Sequence, residues 1–510
     1  MNYTKNAIRN ILWGLVNNFV LILIPFVNRT IIIRFLGAEF MGLDSLFTSI
    51  LQMLNIAELG FSSAITFSMY KPIAENDSDT ICALLNLYRK AYRIIGLIIL
   101  LIGVSIIPVL PKFIKGTIPD GINLYILYLI FLCNTVIGYW MSAYKKSLII
   151  AHQRVDILSN IDSIVRLLGI GIQVAMLLIL KNYYLYILVM LLLTLVDNIS
   201  VEFISRKMFP QYLCNGELSQ DVKKDIWKRI KGLMIQKVCV KSRNSMDNII
   251  ISTFLGLVMV TIYGNYYCII TGIVSIMGCF TNAIKAGVGQ SIAINSPEVN
   301  HQNMLQFNFM YMWMAGIIVT ILICIYQPFI TLWVGESNLL PFYVTCAICI
   351  YFYSLCMGDV LSLYSSGAGL WWEGRYRGLV EAIMNIFFNI VLGKFWGIFG
   401  VVIATIISII VVNFLYGSTI VYRFYFRNGK VFTFYRKHCL YGIVALISSV
   451  ISYNLCKMVT DVNLRGIFIR CIICLISSNI VFWFLLRKQK EYHDSIVFIQ
   501  NILISKKLKR

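Results

Sequence analysis

Charge is what this chain has least of. Only 13% of its 510 residues are charged, about half of the roughly 25% usual in soluble domains. Histidine is also scarce: the 4 residues are dispersed and show no metal-ligand spacing. Two CxxC spacings occur among the 14 cysteines. Cys346 and Cys349, like Cys471 and Cys474, sit three apart on apolar stretches, where cysteine reads as a small core hydrophobe. The chain has no GxxxxGK[ST] P-loop and no Ser/His/Asp set, so neither ATP hydrolysis nor nucleophilic catalysis is indicated. No catalytic residue, metal site or cofactor is expected, other than a coupling cation such as Na+ or H+. A cleavable signal peptide is not evident either. The first apolar run, Ile11 to about Ile33, is too long for an h-region.

What the chain does have is apolar residues, at 59%, with a mean hydropathy of +0.78. A spanning helix needs about 20 of them, and such runs recur along the whole sequence. The runs predict an all-α polytopic membrane protein with 14 transmembrane helices. The connections alternate. Odd ones are short, such as "LGAEFMG" and "KNYY"; even ones are longer and charged, such as "KPIAENDSDT".

The basic residues fix an expected orientation. With the N-terminus placed inside, the inner connections carry 31 Lys and Arg against 7 in the outer ones. Excess cytoplasmic Lys and Arg sets topology, so both termini are expected in the cytoplasm. This also accounts for the net charge of +21 without nucleic acid. The basic surplus, including "SKKLKR" and the amphipathic "DVKKDIWKRIK", suits an anionic leaflet; an ordinary solvated charge run is equally compatible with these segments.

Six basic residues fall within the expected spans: Arg29, Arg166, Lys237, Lys241, Arg243 and Arg470. Seven carboxylates do too: Glu58, Asp162, Asp197, Glu202, Asp247, Asp359 and Glu381. Each costs at least ~2.5–3.5 kcal/mol at a helix centre facing lipid, so they are expected to line a bundle interior or a wet cavity. The seventh span, 232–255, is the most polar. Lys237, Lys241, Asn244 and Asn248 lie within about 60° of one another on it. An alternative start near 246 would make 231–245 a cytoplasmic helix, but would leave an apolar run too short to span.

An internal repeat organises the chain. "NRTIIIRFLG" (28–37) lies over "DNIIISTFLG" (247–256), an offset of 219. The repeat predicts an N-terminal six-helix lobe over 1–206 and a cytoplasmic amphipathic connection over 207–231. A C-terminal six-helix lobe follows over 232–425, then helices 13 and 14 with a basic cytoplasmic tail over 426–510. Repeated halves around a midplane site are typical of secondary transporters.

Three stretches carry a family resemblance: "IIIRFLGAEFMGLDSLFTSILQMLNIAELGFSSAITFSMYKPI" (31–73), "DNIIISTFLGLVMVTIYGNYYCIITGIVSIM" (247–277) and "SSGAGLWWEGRYRGLVEAIMNIFFNIVLGKFWGIFGVVIATIIS" (365–408). They resemble Wzx-type polysaccharide flippases. These belong to the multidrug/oligosaccharidyl-lipid/polysaccharide exporter superfamily, which also holds MATE exporters and lipid II flippases. The resemblance implies a MATE-like pair of lobes, alternating access, and flipping of an undecaprenyl-pyrophosphate-linked oligosaccharide across the bacterial cytoplasmic membrane. Its implied partners are the lipid-linked oligosaccharide, the bilayer, a polysaccharide polymerase and other export components.

Such a head group is at least dianionic, and crossing a low-dielectric core requires fixed cations. Arg29, Arg166, Lys237, Lys241 and Arg243 are the candidates for a cationic cavity. Structural pairing, Arg166 with Asp162 and Arg243 with Asp247, is the competing reading. Arg470 is assigned to structure or lipid. Relatives among the lipid II flippases carry an oxygen-ligand cation site, which the resemblance carries onto Asp247, Glu381, Asn385 and Thr405; Glu58 and Asp359 are the candidate protonation sites for ion coupling. A drug/cation antiporter of the MATE kind is the runner-up. A membrane-embedded glycosyltransferase or ligase is disfavoured by the short outer connections.

Overall fold

The computed structural model describes residues 20–507 apart from 21, 59, 60, 117, 142, 371 and 428. The described residues are almost wholly helical and contain no strand. The chain divides into two compact units, Met1–Gly264 and Asn265–Arg510.

The first unit holds α1 (22–35), α2 (Ala38–Leu54), α3 (Phe61–Glu75), α4 (Ser78–Ile106), α5 (Leu124–Trp140), α6 (Ala143–Ala151), α7 (Val155–Leu180), α8 (Tyr183–Met208) and α9 (Gln220–Leu255). α10 (Leu257–Ile294) begins in this unit and ends in the second. The second unit continues with α11 (Pro297–Val334), α12 (Phe342–Cys356), α13 (Asp359–Gly367), α14 (Arg377–Ser408), α15 (Gly417–Val421), α16 (Val431–Cys456), α17 (Leu464–Leu486) and α18 (Lys490–Lys507).

Helix starts follow local chemistry. Asp77, Asn123, Asn182 and Asn463 cap α4, α5, α8 and α17, each accepting backbone N–H groups that the first turn leaves orphaned. Among the described residues, nine helices are long and apolar enough to cross a membrane, or ten if the bent pair Leu124–Trp140 and Tyr144–Ala151 is one span. Their outer faces are apolar: Ile179, Phe395 and Leu464 are each more than three-quarters exposed, a pattern that suits lipid rather than water. This is a multi-pass membrane protein.

The stretch Arg377–Phe426 counts as one such helix of 50 residues. At 1.5 Å per residue that is far longer than a hydrocarbon core of about 30 Å. Gly397 interrupts it, with φ 59° and ψ −137°. A Cβ on Gly400 would run into the Leu392 carbonyl, so "GKFWGIFG" is a tight turn that only small residues permit.

α9 differs from the sequence expectation. It runs unbroken for 36 residues, so "DVKKDIWKRIK" forms its first turns rather than a separate connection. Ile226 and Ile230 are buried there, and Trp227 packs edge-on against Phe61 at 5.4 Å. The segment has no proline and one glycine, so nothing stops the helix. α9 is too polar to be counted among the membrane-crossing helices. It packs along α2, where Asn248 Nδ2 donates to Ser49 Oγ at 2.9 Å. The compact division therefore falls at Gly264, whereas the repeat pattern places the lobe connection at 207–231.

The repeat itself has a backbone counterpart. Gly37 has φ 111° and ψ 166°; Gly256 has φ 93° and ψ 172°. Gly37 N–H donates to the Ile32 carbonyl at 3.1 Å, and Gly256 N–H to the Ile251 carbonyl at 3.1 Å. Both glycines end one helix and begin the next in a conformation that L side chains rarely adopt.

Candidate functional site

A cavity of about 520 Å³ opens within the first unit. α1 contributes Pro25, Asn28, Arg29 and Ile32, which recur at i, i+3, i+4 and i+7 and so share one helix face. α7 contributes Asp162, Arg166 and Gln173; α8 contributes Tyr186, Thr194 and Asp197; α2 adds Asp44 and Thr48. Two of the sequence-selected cations, Arg29 and Arg166, thus meet in one cavity.

Arg29 is 9% exposed. Its Nη1 donates to the Thr261 carbonyl and its Nη2 to Ser45 Oγ, both at 3.4 Å. A Cβ on Gly264 would collide with this guanidinium, so the glycine leaves the room that the arginine fills. Arg166 Nε donates to Asp162 Oδ1 at 2.7 Å, the pairing anticipated from i, i+4 spacing. The pair remains half-exposed to the cavity, at 47% and 34%.

Asp162 and Asp197 also border a smaller space of about 220 Å³ with Lys146 and Ser159. Lys146 Nζ donates to Asp197 Oδ2 at 2.6 Å. The lining is therefore mixed: Arg29, Arg166 and Lys146 against Asp44, Asp162 and Asp197. Sequence reading missed Asp44 because it stands at the edge of the expected second span and reads as interfacial. It missed Lys146 because that residue was counted with a cytoplasmic connection; here it lies on α6 and faces α8.

One further cavity of about 440 Å³ lies at the end of α8, lined by Arg89, Tyr144, Lys145, Arg206, Phe209 and Tyr212. Glu202 Oε1 accepts from both Lys145 Nζ, at 2.6 Å, and Arg206 Nε, at 2.5 Å. Two of the three cations there share that carboxylate, while Arg89 Nη2 donates to Asn86 Oδ1 and the Cys214 carbonyl.

On α9, Arg243 and Asp247 are buried, at 7% and 3% exposed. Asp247 Oδ2 accepts from Tyr263 Oη at 3.1 Å. The Lys237 and Lys241 side chains lie outside the described residues.

In the second unit, Glu381, Asn385 and Asn389 recur every fourth residue on α14 and are fully buried. Asn385 Nδ2 donates to Thr405 Oγ1 at 3.1 Å and to Ser408 Oγ at 3.5 Å, while Asn389 Nδ2 donates to Asn385 Oδ1 at 3.2 Å. Asn385 and Thr405 thus meet, joined by Asn389 and Ser408, which the four-residue spacing and the small hydroxyl at 408 would have flagged, while Glu381 stands one turn before Asn385 on the same helix. Asp247 belongs to the first unit.

The two candidate protonation sites are both held by tyrosines. Glu58 accepts from Tyr92 Oη at 2.5 Å and from Tyr139 Oη at 3.2 Å, and Tyr88 Oη donates to Tyr92 Oη. Asp359 Oδ2, in the first turn of α13, accepts from Tyr311 Oη at 2.7 Å.

Comparison with known proteins rests on structure. No family model matches the sequence, and no curated protein matches it. Among solved structures, an inward-closed structure of the lipid II flippase MurJ is 14% identical, covers 94% of this chain and 99% of its own, and has a TM-score of 0.65. An inward-facing multidrug resistance MATE family transporter of the MOP superfamily is 15% identical, covers 78% of this chain and 93% of its own, with a TM-score of 0.62. An outward-facing transporter of that description is 15% identical, covers 81% of this chain and 95% of its own, and has a TM-score of 0.51. At such identities the likeness is one of fold, and the chain has the helical fold that these MATE transporters and MurJ share.

Proposed function

We propose that this chain is a Wzx-type flippase. It moves an undecaprenyl-pyrophosphate-linked oligosaccharide repeat unit across the bacterial cytoplasmic membrane for surface polysaccharide synthesis. In this reading it has 14 spans, arranged as two six-helix lobes with two C-terminal helices. Both termini are cytoplasmic, and alternating access moves the cargo without covalent chemistry.

The observation that carries the reading is the convergence of Arg29 and Arg166 on one mixed-polarity cavity. A lipid-linked glycan presents two chemistries at once. Its pyrophosphate needs fixed cations, and guanidinium groups match phosphate oxygens in bidentate geometry. Its sugar hydroxyls need acceptors and donors, which Asp44, Asp162, Asn28, Gln173 and Thr194 supply. The basic, aromatic-lined cavity around Arg89, Lys145 and Arg206 is a first capture point on the side that the basic count assigns to the cytoplasm. From there the head group passes to Arg29 and Arg166, where a fixed charge offsets the cost of leaving water. The broad coverage of this chain by the MurJ structure supports a lipid-linked cargo.

The second reading, a MATE-like cation antiporter, draws on the three cavity carboxylates. Two of them, Asp162 and Asp197, already hold Arg166 and Lys146. A site for a free organic cation would need those acids unneutralised.

The test is proteoliposome flipping of a fluorescent undecaprenyl-pyrophosphate oligosaccharide by the purified protein. Wild type is expected to flip it, and Arg29→Glu and Arg166→Glu to lose most of that activity at normal folding. Efflux of an organic cation with no movement of the glycolipid would establish the antiporter reading instead.

A further inference from the structure

Three cysteines in the second unit meet although they are far apart in sequence. Cys324 lies on α11, Cys456 is the last residue of α16, and Cys474 lies on α17. Their sulfurs all lie within 4.8 Å of one another, and Cys456 Sγ is 3.7 Å from Cys474 Sγ. All three are buried, at 4%, 4% and 0% exposed. Among the described residues no other trio of His, Cys, Asp or Glu brings its ligand atoms together in this way. Scattered membrane cysteines are ordinarily small core hydrophobes, but that role asks nothing of their mutual distance.

We propose that Cys324, Cys456 and Cys474 form a three-thiolate site for a thiophilic monovalent cation, Cu(I). This goes beyond the transport reading. Thiolate-only ligand sets select soft ions. With a metal–sulfur bond of about 2.3 Å, three sulfurs in a plane around one ion stand about 4 Å apart, near the 3.7 Å between Cys456 and Cys474 and inside the 4.8 Å that bounds all three. Zinc demands a fourth ligand in its structural sites. The apolar side chains packed against the cluster are Ile321, Ile325, Tyr453 and Ile473, and among the described residues no His or carboxylate joins the group. Three-coordination therefore favours Cu(I).

The charge is partly compensated by a neighbour. Each thiol that binds as thiolate gives its proton to water, leaving an anionic complex in a low-dielectric site. Arg470, 6% exposed, is fixed beside it. Its Nη1 donates to the Asp461 carbonyl at 2.8 Å and its Nη2 to that of Val459, and its own carbonyl accepts from Cys456 Sγ at 3.9 Å. The arginine thus closes the C-terminal end of α16, and it stands one turn before Cys474 on the same face of α17. A bound ion would staple α16 and α17 to α11.

The test is anaerobic titration of the reduced full-length protein in detergent with Cu(I), in competition with a chromophoric Cu(I) chelator. Wild type is expected to withdraw one tightly held ion, and X-ray absorption to show three sulfur neighbours. Cys324→Ser, Cys456→Ser and Cys474→Ser should each weaken binding by more than about 100-fold, beyond the loss typical of an outer-shell partner. Cys349→Ser, at a buried cysteine outside the cluster, should leave it unchanged. Unaltered copper binding in the triple serine variant overturns the proposal, as does a Cys456–Cys474 disulfide in protein isolated without reductant. If the variants do not fold, wild-type thiol alkylation read by mass spectrometry decides: Cu(I) must protect these three cysteines, and protection of a different set overturns the site.

Discussion

Arg166 donates to Asp162 one helical turn back on α7, at 2.7 Å, in the wall of the cavity that Arg29 also lines. With both partners well exposed, such a pair contributes at most about 1 kcal/mol to stability. Its value lies in where it stands, since a guanidinium with a weakly held partner can exchange that partner for phosphate.

This separates stability from transport. Arg166→Ala should change unfolding free energy by less than about 1 kcal/mol while lowering glycolipid flipping about 10- to 100-fold, the equivalent of one charge-assisted hydrogen bond. Thermal melts and proteoliposome flipping on one preparation check both. Parallel losses in both assays would reduce Arg166 to a structural role.

Glu202 should behave in the opposite way. It holds Lys145, whose side chain is 10% exposed, as well as Arg206. Glu202→Ala leaves a nearly buried ammonium without its anion, a loss of about 3–5 kcal/mol for a fully buried pair and less for this partly exposed one. Arg206→Ala removes the more exposed partner and should cost under about 1 kcal/mol. The order of melting temperatures, wild type and Arg206→Ala above Glu202→Ala, is the measurement.

Close backbone approach makes a third prediction. A Cβ on Gly42 would run into the Leu257 carbonyl, where α2 meets the start of α10. Gly42→Ala should destabilise by about 1–3 kcal/mol through overpacking. Gly138→Ala, with open space around its Cβ, should be neutral or slightly stabilising. Denaturation midpoints of the two variants test the difference.

The buried amide stripe on α14 allows a test of ion coupling. Thr405→Val removes the oxygen that accepts from Asn385 and should cost about 1–3 kcal/mol for the unsatisfied amide. If Glu381, Asn385 and Thr405 hold a coupling cation, this variant also loses any stimulation of flipping by an imposed Na+ gradient. Full retention of that stimulation at matched protein level would remove the stripe from ion coupling.

Much of the fold was legible. The apolar runs predicted helices, and nine or ten among the described residues are long and apolar enough to cross a membrane; "KNYY" and "GKFWGIFG" fall at turns through Asn182 and Gly397. The repeat at 28–37 and 247–256 is matched by one glycine conformation and one hydrogen bond at Gly37 and Gly256. α9 begins at Gln220, inside the segment read as an amphipathic connection, and Ile226 and Ile230 are buried there in the first unit.

Composition and periodicity by themselves determined that this chain is a helical membrane protein with buried charges, because a bilayer leaves few other ways to satisfy a backbone. They also placed Arg29, Arg166 and Asp162 on faces of their own helices. Only the tertiary structure decided which faces meet: that Asp44 and Lys146 join those arginines, and that Cys324, Cys456 and Cys474 converge. A helix's period is local, whereas the choice of neighbouring helix depends on packing between residues more than a hundred positions apart.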